Sequence, residues 1–217
     1  MPVTNEPVYA SQAQPWMAFY DPKYRNMPVP DCTAFEYVCR QNKGHLRKGD
    51  IMTAVSVMTP ELIYLFYAAD MVGATLNLVD PRYSPEGIHE YIEEAGSRML
   101  ICMNLFYDKC HQATRRTTVE KVLVFSPAES LGGAMKLAYT AANPDRNRYA
   151  SNVVFWKQFM AAGKGASTAS EPFDPNHSCV MVHTGGTTGS PKGVLLGDTS
   201  FNALAQQFAA YEVVFQR

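Results

Sequence analysis

The chain has 217 residues, 47% of them hydrophobic and 18% charged, which suits one substantial core or two small ones. Its 19 basic and 20 acidic residues leave a net charge of -1, and no basic run is longer than two residues, so a nucleic-acid partner is not expected. The five cysteines form no CxxC pair and no ligand spacing with the five histidines, which excludes a zinc site or a disulfide framework as the organising principle.

Residues 1–50 are rich in proline, tyrosine and polar groups, and only "CTAFEYVCRQN", 32–42, has helical spacing. The N-terminal segment has neither a basic cluster nor an apolar core of the secretory kind, so a cytoplasmic location is expected. From Lys48 the pattern changes. "DIMTAVSV" reads as a buried strand, followed by Thr59, Pro60 and Glu61, an N-cap, a first-turn proline and an acid matched to the helix dipole. That helix is expected to reach Gly73. The apolar stretch 62–79 is not a membrane span, because Asp70, Gly73 and Asn77 interrupt it.

"ATLNLVD" is a second predicted strand, and Ser84-Pro85-Glu86 opens a second helix that Gly96 can stop. "RMLICM" is a third strand, "LFYDKCHQATR" a third helix and "VEKVLVF", 119–125, a fourth strand. Residues 126–150 lack periodicity and read as a surface excursion, and "NVVFWKQFMAAG" reads as a helix. A polar linker over 164–177 leads to the strand "SCVMVHT", a glycine-rich loop, the strand "KGVLLG" and a closing helix "DTSFNALAQQFAAY" capped by Asp198 or Thr199. The alternation predicts an α/β fold, a layered and mostly parallel sheet with helices on its faces. The domain reading is an N-terminal extension over 1–50 and a partial domain over 51–217.

The loop carries the chemistry. Residues 180–197, "VMVHTGGTTGSPKGVLLG", hold five glycines, four hydroxyl residues and one lysine between two apolar runs. A Walker A loop would run from its lysine directly into a helix; here Pro191 precedes Lys192, Gly193 follows it, and the chain continues as a strand. What remains is a strand–loop–strand in which Gly185, Gly186 and Gly189 permit successive backbone N–H groups to converge on an anion. Thr184, Thr187, Thr188 and Ser190 add hydroxyls, and Lys192 adds a compact cation. Composition alone fits a solvated polar hairpin equally well.

The order of residues goes further. "HTGGTTGSPKGV" resembles the phosphate-loop signature of the acyl-adenylate-forming superfamily, with Thr184, Gly186, Thr187, Thr188, Gly189, Pro191, Lys192 and Gly193 at the matching places. The run from "KGD" before the first strand through "VDPRYSPEGI" is similar to the same family, most of all to bacterial fatty-acid or general acid-CoA ligases, and the similar stretches cover most of residues 15–212. The resemblance implies part of the N-terminal domain of that fold. It implies a reaction in which a carboxylic acid, such as a fatty acid, attacks ATP in the presence of Mg2+ to give an acyl-adenylate and pyrophosphate, after which coenzyme A takes the acyl group. It assigns the nucleotide phosphates to Thr184, Gly185, Gly186, Thr187, Thr188, Gly189, Ser190, Pro191, Lys192 and Gly193.

Two departures from the family pattern temper this. A hairpin and helix that the family places before the first strand are missing near residue 46, which would leave a sheet edge uncovered and open to self-association. The downstream adenine, ribose and C-terminal lysine motifs of the family do not occur before Arg217. The 217-residue chain alone is therefore expected to be catalytically inactive, and a non-catalytic remnant or interaction fragment retaining the loop is the competing expectation. Outside the loop, His183 reads as a bulky strand-end residue, His89 as a helix-edge residue, Glu90, Glu93 and Glu94 as a solvated face, and Phe155, Trp156 and Phe159 as core. Cys110 and His111 are neighbours on a helix and point apart.

Overall fold

The computed structural model describes residues 48–162, 171–184 and 192–204. All but the last seven of these belong to one compact unit; residues 198–204 are helical and belong to a second. The predicted helix at 32–42, the segment near residue 46 and most of the closing helix lie outside the described residues.

The larger unit is built on a seven-stranded sheet. Its strands are β1 (Ile51–Val55), β2 (Thr75–Val79), β3 (Met99–Met103), β4 (Lys121–Phe125), β5 (Val153–Phe155), β6 (Ser178–His183) and β7 (Gly193–Gly197). They lie in the order β5-β4-β3-β1-β2-β6-β7, all parallel to their neighbours except β7, which is antiparallel to β6. The chain starts at β1, steps to β2 on one side and then to β3 on the other, so the winding direction reverses beside β1.

Both faces of the sheet are covered, which explains why the strands read as unbroken apolar runs. Along β3 all five residues are buried. On one face Met52, Ala54, Leu76, Ile101 and Leu123 pack against α1 (Pro60–Met71). On the other, Val55, Val79, Leu100, Cys102 and Val124 pack against α2 (Pro85–Ala95) and α3 (Tyr107–Ala113). Along β3 and β4 the residues alternate between the two clusters because successive side chains point to opposite faces.

Local signals end the helices where the sequence places them. Thr59 caps α1 by accepting from Leu62 N at 3.3 Å, with Pro60 in the first turn. Beside it Glu61 is buried and accepts from the Ser130 hydroxyl, which ties the segment after β4 to the helix start. Ser84 caps α2 through Gly87 N. At the other end of α2, Gly96 has φ +61°; its N–H donates to Glu93 O at 3.0 Å and Ser97 N–H to Ile92 O at 3.1 Å, the paired bonds of a Schellman stop.

Three elements differ from the expectation. Within the presumed excursion 126–150, α4 (Gly133–Ala142) is a helix with no buried residue. Its Ala, Met, Lys and Leu content supports a helix by propensity, but Gly132-Gly133 and Asn143-Pro144 frame it closely and read as loop. The stretch read as one helix from 152 divides into β5 and α5 (Trp156–Ala162), because the β-branched Val153 and Val154 extend the ladder against Val122 and Leu123. Consequently Trp156 and Phe159 are core, whereas Phe155 is exposed and its ring stands edge-to-face with that of Tyr149.

The amino edge of the sheet is fastened by charge. Arg98 donates to Glu120 Oε1 at 2.6 Å and lies 3.6 Å from Asp50, joining the entries of β1, β3 and β4. A test of the local accounting is Gly96→Ala: a Cβ there meets nothing within 4 Å, so only the left-handed backbone is penalised. The expected loss is about 1 kcal/mol in chemical denaturation, without a change in the slope of the transition.

Candidate nucleotide-phosphate site

β6 runs parallel to β2, so its last residue, His183, lies at the carboxyl edge of the parallel sheet, where α/β folds place ligands. The chain leaves the sheet there and returns at Lys192 into β7. Of the expected phosphate-loop residues, Thr184, Lys192 and Gly193 are described; Gly185, Gly186, Thr187, Thr188, Gly189, Ser190 and Pro191 lie outside the described residues.

The described residues form the neck of the loop. Thr184 N–H donates to Lys192 O at 3.1 Å and Lys192 N–H to Thr184 Oγ1 at 3.3 Å, so the threonine hydroxyl and amide close the hairpin from both sides. One step inward, His183 faces Gly193 across the antiparallel ladder. A Cβ on Gly193 would come to 3.1 Å from Met181 Sδ, so the glycine makes room for the methionine that packs beneath the neck. Both residues flanking the loop are thus exposed ends of a closed hairpin, with the Lys192 side chain free of any ion pair among the described residues.

Behind the neck runs a chain of buried polar side chains that the sequence reading missed. Thr53, Asn77 and Ser97 are each fully buried. Ser97 and Thr53 share a hydroxyl–hydroxyl bond of 2.5 Å, Asn77 Nδ2 donates to Thr53 Oγ1 at 2.9 Å and to Tyr91 O at 3.4 Å, and His183 Nε2 lies 2.6 Å from Asn77 Oδ1. Asn77 spends its amide hydrogens on Thr53 and Tyr91 and offers only an acceptor to the imidazole, so His183 carries its proton on Nε2 and donates. The other ring nitrogen, Nδ1, is buried with no hydrogen-bond partner among the described residues. The Tyr91 ring packs on the imidazole at 4.2 Å. A signal was present: Thr53 and Asn77 are register partners on adjacent strands, polar residues at matching positions of two apolar runs.

The remaining candidates divide plainly. His89 Nδ1 bonds Ala113 O at 2.8 Å and so joins α2 to the end of α3. Glu90, Glu93 and Glu94 are exposed. Cys110 is buried, and the His111 ring stacks on Tyr107. Elsewhere on the carboxyl edge, an open hollow of ≈ 430 Å³ lies between the ends of β1 and β2, walled by Ala54, Leu62, Leu78 and Val79. At its rim Asp80 accepts from the Arg82 side chain at 2.6 Å and from the Arg82 amide at 2.8 Å, and these bonds hold the Asp80 carboxyl below the usual carboxylate range.

The winding reversal beside β1 and the carboxyl-edge hairpin describe an α/β domain built on a mostly parallel sheet. The chain belongs to the AMP-binding enzyme family, whose model matches residues 41–216. It is 27% identical over 168 residues to the 4-coumarate–CoA ligase 1 of Oryza sativa subsp. japonica, covering 75% of this chain and 26% of that protein. To the long-chain-fatty-acid–CoA ligase of Bacillus subtilis it is 23% identical over 171 residues, 76% of this chain and 30% of that one. Among solved structures it superposes with a TM-score of 0.65 and 17% identity on the A-PCP didomain of a carboxylic acid reductase from Segniliparus rugosus in complex with AMP, over 81% of this chain and 25% of that chain. The chain therefore spans under a third of the length of the curated relatives named here. Among the described residues no helix is long and apolar enough to cross a membrane.

Two outcomes follow from the buried chain. Asn77→Leu removes an acceptor from His183 and a donor from Thr53 while keeping volume, and should destabilise the protein by about 2–4 kcal/mol in urea unfolding. Burial also holds the His183 imidazole below its ordinary pKa of 6.5, opposed in part by the Glu94 charge. An unfolded histidine takes up a proton below that pH and the folded one resists it, so this contribution to stability is present above pH 6.5 and is lost as pH falls. Urea midpoints measured from about pH 7 to about pH 5 should fall less steeply in His183→Phe than in the parent.

Proposed function

We propose that this chain carries the nucleotide-phosphate-binding portion of an AMP-forming acid-CoA ligase, with residues 51–217 forming part of its AMP-binding domain and Thr184 to Gly193 holding the phosphates of ATP. The observation that carries the reading is the loop's setting: a glycine- and threonine-rich connection whose neck is closed by Thr184 and Lys192 at the carboxyl edge of a parallel sheet, within the segment matched by the family.

The chemistry explains why such a loop is useful. A carboxylate attacking the α-phosphate of ATP brings one anion to another while charge accumulates on departing pyrophosphate. Backbone N–H groups, threonine hydroxyls and an ammonium fixed beforehand around that pyrophosphate offset the charge without reorganising solvent. Mg2+ arrives with ATP as part of the substrate, and coenzyme A is the acceptor in the second half-reaction. The acid is a small-molecule carboxylic acid, with fatty acids the class favoured by the likeness of "VDPRYSPEGI" to fatty-acid ligases. Self-association through a sheet edge belongs to the same proposal: Val194 and Leu195 on β7 are exposed.

Lys192→Ala tests the assignment. It should weaken binding of MgATP or pyrophosphate to the chain by about 10- to 100-fold, the range of one charge-assisted hydrogen bond, with the unfolding midpoint unchanged. In a protein that includes this chain and catalyses acid-dependent ATP–pyrophosphate exchange, the same change should lower the exchange rate. Unaltered affinity in calorimetry would remove Lys192 from the site.

A further inference from the structure

His183 lies outside the sequence signature of the loop, yet its surroundings connect it to the loop's geometry. The backbone ladder between β2 and β6 pairs Leu76 with Val180 and Asn77 with Met181. Beyond that point the last two residues of β6, Val182 and His183, are paired to Val194 and Gly193 of β7. A two-stranded hairpin end of this kind twists and frays readily, because nothing in its own ladder fixes it to the rest of the sheet. Val182 packs on the core cluster, and the bond from His183 Nε2 to Asn77 Oδ1, 2.6 Å long, adds a directional attachment. It reaches the central strands, since Asn77 is held by Thr53 on β1 and Thr53 by Ser97 at the entry to β3. The Tyr91 ring at 4.2 Å fixes the plane of the imidazole from α2.

We propose that His183 is a positioning residue for nucleotide-phosphate binding: by donating from Nε2 to the buried Asn77 amide it locks the end of β6 to the central sheet, and so fixes the Thr184–Lys192 neck on which the proposed phosphate loop is mounted. The inference rests on the reading of residues 184–193 as a phosphate loop. The imidazole acts through the neck and needs no contact with the nucleotide. Phenylalanine at this position would fill the space against Tyr91 and lack the donor; glutamine would return a donor at the distance of Nε2.

The experiment uses the 217-residue chain, with two readouts. One is amide hydrogen exchange at Thr184, whose N–H closes the neck on Lys192 O; the other is the dissociation constant for pyrophosphate. His183→Phe should exchange the Thr184 amide at least about tenfold faster and bind pyrophosphate about tenfold more weakly, while His183→Gln stays within about threefold of the parent on both. Thr184 exchange in His183→Phe equal to that of the parent overturns the proposal, as does a glutamine variant no better than phenylalanine. If His183→Phe does not fold, the parent protein decides: nitrogen chemical shifts of His183 must show the Nε2–H tautomer, and the Nδ1–H tautomer, which cannot donate to Asn77, overturns it. Pyrophosphate binding that is unaffected by Lys192→Ala sinks the phosphate-loop reading instead, and Thr184 exchange still judges the role of His183.

Discussion

One hydrogen bond, from an imidazole at the end of β6 to an amide buried in β2, gives the carboxyl-edge hairpin a directional tie to the core. The sheet supplies rigidity because both faces are covered by apolar side chains, but apolar packing does not prescribe where a protruding hairpin points. Directional bonds do. In the row from Ser97 through Thr53 and Asn77 to His183, the described donors and acceptors answer one another apart from the imidazole Nδ1. Interior polar groups of this kind are tolerated when paired and costly when orphaned, which makes the row a determinant of geometry more than of net stability.

The two edges of the sheet have different work. On the amino edge Arg98 bridges toward Asp50 and Glu120, charges that hold strand entries together at the surface. On the carboxyl edge α1 and α2 begin with capped, dipole-matched turns, and the β6–β7 hairpin leaves the sheet with Thr184 and Lys192 at its neck. The winding reversal beside β1 lies on the same edge. The placement proposed for an anion-holding loop follows from strand direction: parallel strands all end on one side, so the segments that follow them are brought together.

Much of this was legible in the residues. Strands of the parallel sheet appeared as short apolar runs, and Thr59-Pro60-Glu61 and Ser84-Pro85-Glu86 announced helices that the structure caps through Thr59 and Ser84. Gly96 announced a stop that it provides with φ +61°. The Pro191-Lys192-Gly193 order correctly indicated a return strand in place of a helix. What escaped has physical causes. The helix α4 is short and framed by the loop signals Gly132-Gly133 and Asn143-Pro144, and three residues of β5 are too few to interrupt a helical pattern. The role of Asn77 depends on a partner 106 residues away, a contact created by sheet order and invisible to any local window. His183 looked like a strand-end filler; it fills that place and also carries the directional bond.

The central claim is that the connection from Thr184 to Gly193 receives the phosphates of ATP. Titrating the nitrogen-15-labelled chain with MgATP and following every backbone amide by NMR addresses it most directly. The account predicts that the largest shifts fall on the amides of Thr184 to Gly193, with smaller ones relayed to His183 and Asn77. Shifts centred on another part of the surface, with the amides of that connection unmoved at saturating nucleotide, would contradict it.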